Sequence, residues 1–125
     1  NDSFISQEKV DRIRQFIETK YSLKDKSVDE IYDTIIDLCS AYIQYQNRDD
    51  EESKIFITEI KRIIPDIESF KTKFISLRVS GQDKNIFDNL DLANITYSDV
   101  MINMNKLLQT KNTDNDELGG IKRWV

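Results

Sequence analysis

The sequence contains no histidine, one cysteine, one proline and three glycines among its 125 residues. The absence of histidine removes the commonest general base and the commonest metal ligand, which excludes His-dependent catalytic triads and two-histidine zinc sites. A single cysteine excludes an internal disulfide and a CxxC redox pair. No apolar run approaches the roughly 18 residues that a membrane-spanning helix needs. We therefore expect no catalytic residue, no cofactor, no metal site and no membrane span.

The charge balance is acidic, with 23 acidic and 18 basic residues and a formal net charge of -5. Proteins that bind nucleic acid directly usually present a basic surface, so we expect a protein partner with a basic or amphipathic segment. Cys39 lies in an apolar stretch, which predicts a buried, reduced thiol and favours an intracellular location in the cytoplasm or nucleus. The first residue is not Met, which leaves open that the chain is a fragment of a longer protein.

Apolar residues recur at steps of three and four along most of the chain, which is the spacing of one helical face. Ser27 and Glu30 have the spacing of a capping box and predict the start of the second helix, and Thr96 with Asp99 predicts the start of the last long helix. Asp49 and Glu52 share that spacing within the acidic run that precedes the third helix. Five helices are predicted, and their apolar faces begin at Val10, Val28, Ile55, Ile67 and Val100.

The third helix carries apolar residues over too wide an arc for a simple surface helix, so we expect it to be central, buried and contacted on more than one side. Pro65 predicts a break after it, with the proline in the first turn of the fourth helix. Residues 86–92 predict one or two short helical turns. Residues 111–116 read as an exposed loop, and the Gly119–Gly120 pair predicts a weakly ordered segment over 111–125.

These patterns predict an all-α fold with a single domain over residues 1–125. We expect a compact bundle of about five helices plus short helical turns. Short connections predict that the first four helices run largely antiparallel to their neighbours in the sequence.

Four carboxylates line one predicted face of the second helix: Asp29, Asp33 and Asp37 at four-residue spacing, with Glu30 beside them. Residues 27–52 contain eight acidic residues and one basic residue, whereas residues 53–80 contain six basic and three acidic residues. One interpretation is an acidic face that binds a partner. The other is mutual neutralisation inside the bundle by the basic residues of 53–80, with the remaining face solvated.

Trp124 follows Ile121, Lys122 and Arg123 near the end of the chain. An exposed tryptophan there would be a good anchor for a partner, and the alternative is that it docks back onto the bundle. The apolar spacing of residues 95–108 and the terminal tryptophan of residues 121–124 resemble the end of the helical N-terminal domains of transcription elongation factors. Those domains bind short motifs in disordered partners, so this resemblance implies a helical adaptor domain.

The first functional hypothesis is therefore a non-enzymatic helical protein–protein interaction domain whose acidic face binds a basic or amphipathic segment. A second is a small acidic inhibitor or immunity-type protein that blocks a basic surface of another macromolecule. A third is the helical adaptor domain that the resemblance implies.

Overall fold

The computed structural model describes the backbone of residues 6–124 and the side chains of residues 6–110. It contains five α-helices, and a short 3-10 helix at Asp83–Phe87 lies between the fourth and the fifth. The five are α1 (Gln7–Lys20), α2 (Val28–Gln46), α3 (Glu51–Ile63), α4 (Ile67–Val79) and α5 (Tyr97–Trp124). No strand occurs over residues 6–124. The prediction of an all-α bundle with short helical turns is confirmed.

Side chains next to the helix starts satisfy the free backbone amides that every helix N-terminus leaves. At α2 the Ser27 hydroxyl accepts a hydrogen bond from the Glu30 amide at 3.2 Å, and the Glu30 carboxylate accepts one from the Ser27 amide at 2.9 Å. Thr96 and Asp99 make the same reciprocal pair at the start of α5, with both bonds at 3.1 Å. Both predicted capping boxes are therefore present, although aspartate is shorter than the usual glutamate.

The centre of the bundle is α2, which contributes the largest set of buried residues: Ile31, Ile35, Leu38, Cys39, Ala41 and Tyr42. The prediction that α3 is contacted on more than one side is confirmed, but the prediction that it is a buried helix is wrong. It contacts α1 on one side and α2 on the other, but only Ser53, Glu59 and Ile60 are buried. Its wide apolar arc is divided between these two neighbours, which leaves most of its isoleucines only half-buried.

The ion pairs between α1 and α3 show how these helices are oriented. Lys9 pairs with Glu52, and Arg14 pairs with Glu59, so the contacts advance in the same direction along both helices. Therefore α1 and α3 run parallel. The connection at residues 47–50 reverses the chain between α2 and α3, which makes these two sequence neighbours antiparallel.

Pro65 separates α3 from α4. The residue before it, Ile64, has an extended backbone (φ -132°, ψ 93°), as expected for a residue that precedes proline. The break was predicted, but Pro65 does not lie in the first turn of α4. Asp66 caps that helix instead, with its carboxylate accepting from the Ser69 amide at 3.3 Å.

The last helix continues where a loop was predicted at residues 111–116. The backbone of α5 is helical from Tyr97 to Trp124. Residues 111–118 contain neither proline nor glycine, so no local breaker stops the helix there. Two predictions lie outside the residues whose side chains the structure describes. They are the weak order of residues 111–125 and the anchor role of Trp124. Within the described part of the chain, no helix is both long and apolar enough to cross a membrane.

Candidate protein-binding surface

The four predicted site carboxylates all lie on α2 and are all exposed, but they differ in what surrounds them. Asp29 forms an ion pair with Lys84 of the 3-10 helix, with 2.6 Å between the carboxylate and the ammonium. The hydrogen bond and the charge of Lys84 lower the pKa of Asp29 from its ordinary value. This carboxylate is therefore already neutralised by a residue 55 positions further along the chain.

Glu30 holds the start of its own helix. Its carboxylate accepts the hydrogen bond from the Ser27 amide described above, and that bond lowers the pKa of Glu30. A partner that drew Glu30 away would leave the Ser27 amide, which precedes α2, without its acceptor. We therefore assign Glu30 to the cap rather than to the exposed acidic surface.

Asp33 and Asp37 remain as the accessible part of the acidic face. The Asp37 carboxylate lies 3.7 Å from the Lys20 ammonium of α1, and both side chains are about half exposed. Exposed ion pairs of this kind contribute little stability, so Asp37 stays accessible to a partner. Among the described residues, no cation lies within 4.0 Å of the Asp33 carboxylate.

The predicted neutralisation of α2 by the basic residues of 53–80 does not occur on this face. Its two ion pairs use Lys84, which follows that stretch, and Lys20, which precedes it on α1. Lys71, a member of the basic stretch, pairs with Glu68 of its own helix at 2.9 Å.

Long side chains fill the seam between α2 and α4. The Tyr32 and Phe74 rings are 5.5 Å apart between centroids, and the Lys71 ammonium lies 5.6 Å from the centroid of the Tyr42 ring. The Arg78 guanidinium lies 6.0 Å from the centroid of the Tyr32 ring. In these contacts, residues further along α4 meet residues earlier in α2. The two helices therefore run antiparallel across this seam.

These contacts place four apolar side chains on the outer side of the seam. On α2, Ile36 and Ile43 are seven residues apart. The α2 residues that contact α4 lie on one side of them, and the acidic face lies on the other. On α4, Ile75 and Val79 are four residues apart and lie on the corresponding outer side. Their exposed fractions are 41% for Ile43, 46% for Ile75 and 84% for Val79, whereas Ile36 is partly buried.

We call Ile36, Ile43, Ile75 and Val79 the apolar strip. It borders Asp33 and Asp37 on α2, so this side of the molecule combines exposed aliphatic groups with accessible carboxylates. Apolar periodicity in the sequence did not predict the strip, because that periodicity identifies only the buried face of each helix. The signal was present in α4, where Ile75 and Val79 do not belong to the stripe of Phe70, Phe74 and Leu77.

Another groove, with a volume of about 520 Å³, lies between residues 85–90 and α5. Two of its polar side chains are engaged within the protein. Asp99 caps α5, and the Asn103 amide donates to the Ile86 carbonyl at 2.9 Å. Over the described side chains, no three Cys, Asp or Glu residues come together in a way that could hold a metal ion.

Cys39 is buried, as the sequence predicted. Burial raises the pKa of its thiol to about 11, so the thiol remains protonated near neutral pH and lacks the thiolate that a nucleophile requires.

No family model, curated protein or solved structure matches this chain. The fold defines it as a compact all-α bundle.

Proposed function

We propose that this chain is a non-enzymatic helical protein–protein interaction domain that binds a basic amphipathic segment of a partner protein. One observation carries the proposal: the accessible carboxylates of Asp33 and Asp37 border the apolar strip on the same side of the α2–α4 pair. Basic side chains would meet the carboxylates, and apolar side chains of the same segment would cover the aliphatic groups.

The two parts of this surface would have different effects on binding. Exposed carboxylates speed association and make the affinity sensitive to salt, because the attraction between exposed charges is screened by ions. The apolar strip would hold the bound segment, because covering Ile75 and Val79 removes apolar area from water. Neither part needs a chemical step.

A displayed library of random peptides, selected on the immobilised protein, tests this proposal. We expect a class of enriched peptides that combine Lys or Arg with large apolar residues. The best of them should bind Asp33→Lys about tenfold more weakly than the wild type, and its affinity for the wild type should fall as salt rises. Val79→Ser should also weaken binding, because it removes apolar contact area.

Glu18→Lys is the matched control for charge reversal, since Glu18 is exposed on α1 and lies away from the acidic face. Thermal unfolding of each variant checks that the bundle is intact. Enrichment without basic residues, or equal loss of affinity in Glu18→Lys and Asp33→Lys, would contradict the proposal. A folded basic protein that binds this surface, where isolated peptides fail, would instead support an acidic inhibitor.

A further inference from the structure

A second surface lies on α1. It carries an exposed aromatic residue that is not part of the acidic face. Phe16 is 51% exposed and is the only exposed aromatic side chain among the described large hydrophobic residues. Phe16 lines two grooves, one of about 390 Å³ and one of about 300 Å³. Both grooves include Arg12, so they form one continuous area that we call the Phe16 surface.

The Phe16 ring is held in place by other aromatic residues. It packs edge-on against Phe56 of α3 with 6.2 Å between centroids, and Phe56 stacks on Tyr45 of α2 at 4.5 Å. A row of three rings therefore runs from the solvent into the junction of three helices. An aromatic residue fixed in this way loses little conformational freedom when a partner covers it, which is typical of an interface anchor.

The charges that line the Phe16 surface are mostly positive. Lys9, Arg12 and Lys20 line the two grooves, against the single carboxylate of Glu52. Each cation has a carboxylate of this chain at 3.5 to 3.9 Å, with both side chains largely open to water. Ion pairs as long and as exposed as these are weak, so the cations can turn to a partner's carboxylates at little cost.

We propose that the Phe16 surface binds a short acidic segment of a partner protein through one large apolar side chain of that segment. The apolar side chain packs beside the Phe16 ring, and flanking carboxylates pair with Arg12 and Lys20. This partner has the opposite charge to the one proposed for the acidic face, and it uses α1 and α3 rather than α2 and α4. The chain thereby becomes an adaptor with two docking surfaces.

The same peptide selection tests this second surface when it is repeated on Phe16→Ser and Arg12→Glu. We expect enriched peptides in which Asp or Glu flanks an aromatic or large aliphatic residue. Their affinity should fall about tenfold or more in both variants and should be unchanged in Asp33→Lys. Arg12→Glu is informative even where Phe16→Ser lowers stability, because the Arg12 side chain is exposed and makes only a 3.9 Å pair.

Two matched controls separate specific loss from general damage. Ile102→Ser removes an apolar side chain of similar exposure from α5, and Lys24→Glu reverses an exposed charge outside the grooves. Acidic peptides that lose affinity equally in the controls would overturn the proposal, as would a selection that yields no acidic class. If only the basic class appears, the proposed function stands and this inference fails.

Sedimentation of the wild type and of Phe16→Ser completes the test. A monomer in both cases agrees with a partner protein as the occupant. Self-association that Phe16→Ser abolishes would show that a second copy of this chain covers the Phe16 surface, and the acidic-segment proposal would then be wrong.

Discussion

The Lys84 ammonium lies 2.6 Å from the Asp29 carboxylate and 4.5 Å from the centroid of the Tyr32 ring, one turn further along α2. The 3-10 helix thus places a cation against the first part of α2, and the Tyr32 hydroxyl donates to Asp83 of the same short helix. This arrangement engages Asp29 and the cap engages Glu30, which leaves Asp33 and Asp37 as the carboxylates in neither a short ion pair nor a cap.

Removal of this cation should strengthen the proposed binding of basic segments. In Lys84→Met, Asp29 loses its partner and becomes available, so we expect the basic peptides from the selection to bind several-fold more tightly. Calorimetric titration measures the change. Lys24→Met removes an equal charge elsewhere and should have a much smaller effect, so equal gains in both variants would show that only net charge matters.

The α2 capping box should be measurable in stability. Ser27→Ala removes the acceptor for the Glu30 amide, and we expect the free energy of unfolding to fall by about 1 kcal/mol. Denaturant unfolding monitored by circular dichroism provides the value. Ser40→Ala, an exposed change within the same helix, should leave stability nearly unchanged. A similar loss in both variants would contradict the capping role of Ser27.

A buried carboxylate joins α1 to α3. Glu59 is only 3% exposed, and it accepts hydrogen bonds from Arg14 at 2.8 Å and from Arg62 at 3.2 Å. We expect Glu59→Gln to lower the free energy of unfolding by about 2 kcal/mol, because two charge-assisted hydrogen bonds weaken while both arginines keep partial access to water.

Glu52→Gln is the comparison for Glu59→Gln, since Glu52 makes an exposed pair with Lys9 at 3.5 Å. That variant should change stability by less than about 0.5 kcal/mol. Denaturant unfolding measures both variants. Equal losses would mean that the burial of Glu59 does not increase the stability that its ion pairs provide.

Alkaline pH should destabilise the bundle through Cys39. Burial raises the pKa of this thiol from its ordinary value of 9.0 to about 11 in the folded state. The unfolded chain therefore releases the proton first, so stability is intact below pH 9 and falls as pH rises toward 11. The loss from this group is at most about 1.4 kcal/mol per pH unit.

Unfolding curves of the wild type and of Cys39→Ala between pH 8 and about 11 test this prediction. Burial also raises the pKa of Tyr97, so both proteins should lose stability, but the wild type should lose it more steeply. Parallel curves would show that Cys39 does not contribute to the alkaline transition.

Local chemistry made the helices predictable, whereas tertiary pairing could not be read from the sequence. The start of α2 depends on Ser27 and Glu30, three residues apart, and a pattern search finds such a box. At the start of α3 two aspartates are adjacent, and the box spacing of Asp49 with Glu52 pointed to the wrong one. Asp50 rather than Asp49 caps this helix, with its carboxylate accepting from the Ser53 amide at 3.1 Å.

The sequence contains a signal for the exposed residues of the candidate surfaces, but the tertiary contacts of those residues have no local signal. The sequence located Asp29, Asp33 and Asp37 on one exposed face, but the pair between Asp29 and Lys84 forms only when distant segments fold together. For the same reason the wide apolar arc of α3 predicted burial, whereas its position between two neighbours leaves Phe56 free to support Phe16.

Lys20 belongs to both surfaces, because its ammonium lies 3.7 Å from Asp37 and 5.5 Å from the centroid of the Phe16 ring. An acidic occupant beside Phe16 that attracted this cation would leave the Asp37 carboxylate without its partner and would favour a basic ligand on α2. Thermodynamic linkage requires the reverse effect to be equally large. If both proposed surfaces bind, this one lysine would therefore couple two ligands of opposite charge with positive cooperativity.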